Sequence, residues 1–489
     1  MGRRDKELLN NVLVETIAAE GKAIAHVNGK VLFIPYAIPG DIVDVQVKIK
    51  RKGYMEGYIT RMEKPSPDRI EPFCSHFGLC GGCKWQILPY SAQLKFKQQQ
   101  VIDQLTRIGH LKLPDINPIL GSKYQIEYRN KLEYTFSSKR WIESGVEAGD
   151  LSPAERIGLG FHISGLFDKV LDIQRCYLQH DLSNRIRLFV KRFAIENSLP
   201  FFDLREQTGL MRNIIIRNTS TGEWMVTVVF ANINSTSESD DISESRLSSK
   251  HIDSHIRLLL EAIAAKFPEI TSLNYMINNK KNDSIADLEC INYSGDDAIY
   301  EVMEGLKFRI GPKSFYQTNS EQAYRLYSVV RDFASLNGSE VLYDLYTGTG
   351  TIALFLASQA QKVVGIEYVP EAIEDAIVNA RNNNITNTSF YAGDMKDILT
   401  DRFIEENGKP DVIVLDPPRA GIHPDVAKVI LRSSPAKIIY VSCNPASQAR
   451  DIALMKDNYI VEKVQPIDMF PHTHHVENVV LLNSIKQNN

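Results

Sequence analysis

The stretch VLYDLYTGTGTI at residues 341–352 decides the fold of the carboxyl-terminal part of the chain. Its apolar first half predicts a buried strand, its two glycines permit a tight turn, and a helical pattern begins at Thr351. Further strand and helix patterns alternate downstream, at residues 362–366, 370–383, 412–415, 437–441 and 477–482. This alternation predicts a doubly wound, mostly parallel sheet, in which ligands bind at the carboxyl ends of the strands.

The glycine loop after the first of these strands indicates a nucleoside cofactor. Gly348 and Gly350 let a ligand approach the backbone, and the helix that follows offers unpaired N–H groups. Glu367 ends the next strand, near the roughly 20-residue offset at which an acid meets ribose hydroxyls. NAD and S-adenosylmethionine both suit this layout. The third glycine of G-x-G-x-x-G is absent, although Ala353 leaves NAD open.

The run Asp416-Pro417-Pro418-Arg419 follows another predicted strand. Its prolines stiffen a loop at the mouth of the cofactor cleft. The run is close to the D/N-P-P-aromatic motif by which amino-methyltransferases hold an exocyclic amine. Arg419 stands where that motif has an aromatic residue, which argues against amine chemistry. The alternative is that Asp416 only forms a turn.

Cys443 lies in IIYVSCNP, residues 438–445, where an apolar run ends in a polar corner. Taken alone, such a cysteine is more often a small buried residue than a nucleophile. Together with Glu477 it suits a specific reaction: a thiolate adds to carbon 6 of uracil, carbon 5 takes a methyl group, and a carboxylate removes the carbon 5 proton. The histidines in 470–475 have no acid or cysteine at zinc-site spacing, which favours a pocket or surface role.

Cysteines are concentrated in Cys74-x5-Cys80-x2-Cys83, with Cys176 far downstream. Four soft thiolates hold either tetrahedral zinc or an iron-sulfur cluster, and the spacing does not separate the two. A structural role is favoured over a redox role. Cys290 is predicted to be a core residue.

Three domains are predicted. Residues 1–64 have short strands and glycine turns typical of an OB-type β-barrel, and basic residues 48–52 beside Tyr54 and Tyr58 suit an RNA backbone with stackable bases. Residues 65–300 form a mixed α/β middle domain, in which the serine-rich stretch 232–250 is a surface insertion. Residues 301–489 form the cofactor-binding domain.

Composition narrows the class of protein. The 489 residues are 43% hydrophobic and 24% charged, with a formal net charge of −4. No apolar run approaches the roughly 18 residues that a membrane span needs, and no signal peptide is apparent, so a cytoplasmic location is expected. This net charge argues against a protein surface that is positively charged throughout. It does not exclude a local basic stripe that binds RNA.

Taken in order, these motifs resemble the RNA uracil-5-methyltransferases of the TrmA/RumA class, in the subgroup with an amino-terminal TRAM domain and an iron-sulfur cluster. The resemblance spans nearly the whole chain. It is carried by the four cysteines, the run SFYQTN at 314–319, the glycine loop, Glu367, the Asp416 run, the Cys443 run and the run VEN at 476–478.

The resemblance implies a Rossmann-like class I methyltransferase domain, with Gln317, Tyr346, Glu367 and Asp416 contacting S-adenosylmethionine. It implies Cys443 as nucleophile, Glu477 as base, and a [4Fe-4S] cluster on Cys74, Cys80, Cys83 and Cys176.

The substrate that it implies is a uridine in structured RNA, with 23S ribosomal RNA expected first and transfer RNA as the alternative. No membrane and no obligate protein partner are expected. Two further alternatives are an exocyclic-amine methyltransferase and an RNA-binding cluster protein without activity.

Overall fold

The computed structural model describes residues 7–142, 148–163, 165–232 and 253–485. The serine-rich stretch predicted as an insertion lies outside these ranges except for Asn232. The chain forms two compact units, one of Met1–Gly78, Gly82–Gln125 and Glu321–Asn489, the other of Leu79–Gly81 and Ile126–Ser320. Within the described ranges, no helix combines the length and apolarity that crossing a membrane requires.

The first unit begins with a six-stranded sheet, called the amino-terminal sheet. Its strands are β1 (Leu8–Leu13), β2 (Thr16–Ile17), β3 (Ala23–Val27), β4 (Lys30–Ile34), β5 (Ile42–Lys50) and β6 (Tyr54–Lys64), in the order β1-β5-β6-β4-β3-β2. Along β5, Val43, Val45 and Val47 alternate inward and are buried, as expected for a strand with one face on a core. The outward face of β6 leaves Tyr54 and Tyr58 exposed.

Helix α1 (Tyr90–Arg107) follows this sheet in the same unit. Val101 and Leu105 on its buried stripe join the hydrophobic core of the carboxyl-terminal sheet. Two polar residues of that stripe, Gln93 and Lys97, are buried as well. Because buried polar groups need partners, these two side chains mark a contact that the apolar periodicity does not explain.

The second unit is built on a seven-stranded sheet with helices on one face. Its elements are β7 (Lys131–Ser137), α2 (Pro153–Arg156), β8 (Gly158–Ile163), β9 (Leu166–Asp172), α3 (Asp181–Glu196), β10 (Met211–Asn218), β11 (Trp224–Phe230), α4 (Ser254–Lys266), β12 (Ile270–Ile277), β13 (Cys290–Gly295) and a ribbon of β14 (Ile299–Met303) and β15 (Leu306–Ile310). The sheet order is β13-β12-β11-β10-β7-β8-β9. Apolar residues of α3 and α4 cover the central strands and form the core.

The carboxyl-terminal part of the first unit alternates strands and helices. Its elements are α5 (Ser320–Ala334), β16 (Val341–Leu345), α6 (Thr351–Leu356), β17 (Lys362–Glu367), α7 (Pro370–Asn382), β18 (Thr388–Ala392), α8 (Met395–Ile398), α9 (Asp401–Asn407), β19 (Val412–Leu415), α10 (Pro424–Ser433), β20 (Lys437–Ser442), α11 (Pro445–Ala453), β21 (Tyr459–Ile467) and β22 (Glu477–Ser484). The sheet order is β18-β17-β16-β19-β20-β22-β21.

The predicted doubly wound sheet is confirmed for this part of the chain. Strands β18, β17, β16, β19 and β20 are parallel, whereas β22 runs antiparallel to β20 and to β21. The run 477–482 therefore forms a strand as predicted, but in the opposite direction to its parallel neighbours. Its first residue, rather than its last, lies at the carboxyl edge of the parallel strands.

Candidate active site

Five of the predicted site residues stand in a row along that edge of the sheet. Because neighbouring strands lie about 4.8 Å apart, a row over five adjacent strands spans roughly 20 Å. In sheet order the residues are Glu367 at the end of β17, Tyr346 after β16, Asp416 after β19, Cys443 after β20 and Glu477 at the start of β22. The five residues therefore share the edge at which ligands of such sheets bind.

The glycine loop turns sharply out of β16. Tyr346 takes a left-handed backbone conformation with φ of +68°, and Gly348 and Gly350 follow at +55° and +78°. Tyr346 N and Thr347 N donate to Ile366 O at 2.9 and 3.0 Å, which pins the loop to β17. A Cβ added at Gly348 would meet nothing within 4 Å, so open space lies beside this glycine.

Glu367 organises the loop from the neighbouring strand. One carboxylate oxygen accepts from Gly348 N at 3.1 Å, and the other accepts from Val369 N at 3.0 Å. Each oxygen keeps a lone pair that could accept a further hydrogen bond. Beyond it, the side chains of Tyr368 and Val369 are exposed, 68% and 45% respectively. An acid with spare acceptors beside an exposed apolar surface suits a ribose and its base.

Asp344 is a residue beneath the candidate site that the sequence patterns did not single out. It is fully buried in β16 beneath the glycine loop, where Oδ2 accepts from Thr347 Oγ1 at 2.6 Å and from Ala353 N at 3.0 Å. Its Oδ1 is buried with no hydrogen-bond partner among the described residues. Burial raises the pKa of this carboxyl to about 7. The available signal was a single carboxylate inside the apolar run that feeds the loop.

Cys443 lies in a tight corner between β20 and α11. Asn444 forms that corner: its backbone N–H donates to Ser442 Oγ at 3.0 Å, and its side chain caps α11 by accepting from Ala446 N at 3.2 Å. The thiol is half-buried. Burial and the nearby Glu477 carboxylate raise the pKa of Cys443 to about 11, while the Arg419 guanidinium acts in the opposite direction.

Glu477 stands on the adjacent strand, where the next residue, Asn478, pairs with Ser442. Its side chain is buried, with 6% exposed. Burial, reinforced by the Asp416 carboxylate, raises the pKa of Glu477 to about 8, and Arg419 opposes this shift. Burial also raises the pKa of Asp416 to about 7, with a contribution from Asp344. Three acids of the site therefore bind protons more strongly than free carboxylates do.

Buried amides lock the strands that carry Cys443 and Glu477. Gln448 on α11 donates to Tyr440 O on β20 at 2.8 Å and to Asn478 O on β22 at 3.2 Å. Asn478 Nδ2 donates in return to Gln448 Oε1 at 2.7 Å. Since both amides are fully buried, the two strands and the helix hold one fixed register at the site.

Gln317, the remaining predicted cofactor residue, belongs to the second unit, whereas the row of five belongs to the first. Within its unit, Asn130 holds the segment that carries Gln317. Asn130 Nδ2 donates to Gln317 O and to Ser320 Oγ, both at 2.9 Å, and Asn130 N donates to Thr318 O at 2.8 Å. The Gln317 side chain itself is partly exposed.

The four predicted cluster cysteines are divided between the units: Cys74 and Cys83 belong to the first, Cys80 and Cys176 to the second. Neither unit by itself supplies the four thiolates that a [4Fe-4S] cluster needs. Among the residues that the structure describes, no three His, Cys, Asp or Glu side chains form a group that could hold a metal ion. The histidines predicted to line a pocket or the surface lie between β21 and β22.

Family models match two parts of the chain. The model described as tRNA (Uracil-5-)-methyltransferase matches residues 236–485, and the TRAM domain model matches residues 10–60. The TRAM match covers most of the amino-terminal sheet. The other match takes in every residue of the row at the sheet edge.

Similar proteins extend over nearly the whole chain. Proteins named as uncharacterized RNA methyltransferases from Bacteroides thetaiotaomicron and Porphyromonas gingivalis are 56% and 55% identical, covering 95% and 96% of this chain and 99% and 98% of their own. The crystal structure of Pyrococcus abyssi tRNA (uracil-54, C5)-methyltransferase in complex with S-adenosyl-L-homocysteine is similar with a TM-score of 0.71 and 25% identity, over 97% of this chain and 100% of that one. The chain therefore belongs to the family of RNA uracil-5-methyltransferases, with a TRAM domain at its amino-terminal end.

Proposed function

We propose that this protein methylates carbon 5 of a uridine in 23S ribosomal RNA, with S-adenosylmethionine as the methyl donor. One observation carries the proposal: Cys443 and Glu477 stand on adjacent strands, at the edge of the sheet that also carries the glycine loop. A nucleophile and a base in fixed register are what carbon 5 chemistry requires. An enzyme that methylated an amine would need neither side chain.

In the proposed reaction, the Cys443 thiol releases its proton to solvent, the resulting thiolate forms a bond to carbon 6 of the flipped uracil, and the electron pair of the ring double bond moves toward carbon 5. When bound, S-adenosylmethionine supplies an electrophilic methyl group, which carbon 5 takes up. Glu477 then removes the carbon 5 proton, the carbon–sulfur bond breaks, and the double bond reforms as the thiolate leaves. Arg419 lies close enough to stabilise the thiolate at the first and last steps.

Residues of the glycine loop and its neighbours would hold the cofactor. Glu367 offers spare acceptors to the ribose hydroxyls, while Asp344, buried beneath the loop, would hold the loop in shape through Thr347 and Ala353. Tyr346 and Asp416 would line the cleft between this end and Cys443. Gln317 is proposed as a contact to the methionine end on the resemblance alone.

Gly348→Ala is expected to weaken S-adenosylmethionine binding at least about tenfold, because a Cβ would occupy the open space beside the loop. The matched control is Gly338→Ala in the same unit. Gly338 has φ of +99° and also nothing within 4 Å, so alanine there carries a backbone cost at least as large as at Gly348, away from the sheet edge. Calorimetry compares the two variants, and equal cofactor affinity in both would place the cofactor elsewhere.

The RNA target is proposed from the domain layout. In the predicted division into 1–64, 65–300 and 301–489, the first two parts bind the RNA. Tyr54 and Tyr58, exposed on β6, offer surfaces on which bases can stack. The test is incubation of the protein and labelled S-adenosylmethionine with 23S rRNA transcripts and with transfer RNA. Labelled 5-methyluridine in 23S rRNA is expected, and its absence from both RNAs would contradict the function.

Transfer RNA is the second candidate because one observation favours it. The Pyrococcus abyssi tRNA (uracil-54, C5)-methyltransferase, named for a transfer RNA substrate, is similar over 97% of this chain. The same incubation decides between the candidates. Methylation confined to transfer RNA would support the proposed reaction at carbon 5 of uracil but make transfer RNA, rather than 23S ribosomal RNA, the substrate.

We also retain the predicted iron-sulfur cluster on Cys74, Cys80, Cys83 and Cys176, with a structural role and no step in the reaction. The protein purified without oxygen is expected to contain iron and acid-labile sulfide. Cys176→Ser should lose both, whereas Cys290→Ser, which alters a half-buried thiol on β13, should keep them. Zinc without sulfide in the unaltered protein would replace the cluster with a zinc site, and the absence of both would remove the metal altogether.

A further inference from the structure

Residues 468–476, called the histidine loop, connect β21 to β22. The loop is closed by Ile467 and Glu477, which pair across the two strands. The proposed base is therefore the first residue after the loop. The loop holds the chain just before Glu477, and the Gln448–Asn478 amides hold the strand just after it.

The start of this loop is held by a buried ion pair with α1. Lys97 Nζ lies 2.6 Å from Asp468 Oδ1, and neither side chain is exposed to solvent. Lys97 Nζ also donates to Phe470 O at 3.0 Å, and Phe470 N donates to Asp468 Oδ1 at 3.0 Å. Tyr90, at the start of α1, donates to Asp468 Oδ2 at 2.8 Å. Every polar atom of this contact is thus engaged in fixing the loop.

The middle of the loop is held by a second set of contacts from the same segment. Gln93 Oε1 accepts from His472 N at 2.9 Å, and Gln93 Nε2 lies 3.2 Å from His472 Nδ1. Lys84 N and Trp85 N both donate to His472 O, at 2.8 and 3.1 Å. His472 takes a left-handed conformation with φ of +65°, a strained backbone that persists only where surrounding contacts impose it.

The loop also meets the amino-terminal sheet. Trp85 Nε1 donates to Gly21 O at 3.3 Å, and a Cβ added at Gly21 would lie 3.0 Å from His474 Cβ. The histidine loop is therefore enclosed by α1, by the segment before it and by the turn at Gly21. All of these contacts lie within the first unit.

Stability alone is a weak reason for the ion pair. Replacing a buried pair with uncharged residues of similar volume is often neutral or stabilising, because desolvation of both charges offsets their attraction. An amphipathic helix could pack here with an apolar residue in place of Lys97. What the charged pair adds is directional contact to two backbone groups of the loop and to the Tyr90 hydroxyl of α1.

We propose that Lys97, through Asp468, is a positioning residue that holds Glu477 in place for removal of the carbon 5 proton. This inference rests on the proposed function and deepens it. If it holds, loosening the ion pair slows resolution of the cysteine–uracil adduct, because a base displaced by about 1 Å can lose as much as a hundredfold in rate. Cofactor binding and formation of the adduct, which depend on other strands, are unaffected.

The test is the double variant Lys97→Met/Asp468→Asn, which removes both charges and keeps the one acceptor to which Phe470 N donates, while the new amide nitrogen faces the Tyr90 hydroxyl oxygen as a donor. Single-turnover assays with the RNA substrate measure methyl transfer, the fraction of RNA in a denaturation-resistant adduct, and the affinity for S-adenosylmethionine. We expect adduct to accumulate and turnover to fall about ten- to a hundredfold, with methyl transfer in the first turnover and cofactor affinity within about twofold of the unaltered protein.

The matched control is Lys191→Met/Asp172→Asn, which removes a largely buried ion pair of 2.7 Å in the second unit. Tyr90→Phe, which deletes one hydrogen bond to Asp468, is a milder variant that should act in the same direction if the double variant does not fold. A fall in turnover without accumulation of adduct, or the same accumulation in the control, overturns the inference. If Glu477→Gln also fails to trap an adduct, Glu477 is not the base and the inference falls with it, whereas the proposed function itself fails only if the unaltered protein forms no 5-methyluridine.

Discussion

Cys443→Ala is expected to form no 5-methyluridine, a loss of at least about a thousandfold, because alanine has no sulfur to add to carbon 6 of uracil. The variant should fold, since the substitution removes one half-buried atom at a strand end. It should also bind S-adenosylmethionine as the unaltered protein does, because the glycine loop lies two strands away along the sheet. Methyl incorporation and cofactor calorimetry measure the two properties separately.

Cys290→Ala is a close control for this variant. Burial raises the pKa of both thiols to about 11, and both are half-buried, but Cys290 lies on β13 in the second unit. Full activity is expected when Cys290 is changed. Activity retained by Cys443→Ala would favour methylation of an exocyclic amine, and cofactor binding by the unaltered protein without transfer to any RNA would favour a binding protein.

Glu477→Gln is expected to take up uracil and the methyl group but not to release the product. Glutamine cannot remove the carbon 5 proton, so the carbon–sulfur bond persists. An RNA–protein adduct that survives denaturation should therefore accumulate to a stoichiometric level after a single turnover. Gel electrophoresis with labelled RNA detects it, and the double variant Cys443→Ala/Glu477→Gln should form none. Absence of adduct in Glu477→Gln would remove this residue as the base.

The raised pKa of Glu477 adds two dependences on pH. Because this pKa is about 8, the carboxylate becomes available as pH rises toward that value, so adduct resolution by the unaltered protein should speed up until about pH 8.

The stability of the protein should also depend on pH, because Glu477 binds a proton more strongly in the folded chain than in the unfolded chain, where its pKa has the ordinary value of 4.5. Stability therefore falls as pH rises from 4.5 through 8. Glu477→Gln has no carboxyl group to titrate at this position, so it should not lose stability in this way as pH rises. At pH 8 its melting temperature should be higher than that of the unaltered protein.

The edge of the sheet was predictable because two local rules coincide. A strand of a parallel sheet is buried on both faces, so it can be recognised in the sequence as a continuous apolar run, such as 412–415. Ligands bind where such strands end. Polar residues directly after those runs were therefore strong candidates. The direction of β22 was not predictable in this way, because an apolar run has the same composition in either direction.

Other features were not predictable, either because the local sequence pattern is weak or because they depend on contacts between distant parts of the chain. Strands β18 and β21 were missed: β18 is short and only partly buried, and charged residues interrupt the apolar pattern of β21. Asp468, the partner of Lys97, lies 371 residues away in the sequence. The helical pattern of α1 therefore gave the position of the Lys97 charge but could not predict its partner. Asp344 was overlooked because its role depends on the loop folding back over it.

The high pKa of the Cys443 thiol has a consequence for the protein between reactions. At neutral pH the sulfur carries its proton in nearly every molecule, and a protonated thiol reacts slowly with peroxides and other electrophiles. The nucleophile is thereby protected from oxidation while no substrate is bound. We expect Cys443 to survive mild peroxide treatment that oxidises low-pKa cysteines in other enzymes, so that this protein keeps its activity under conditions that inactivate a redox sensor.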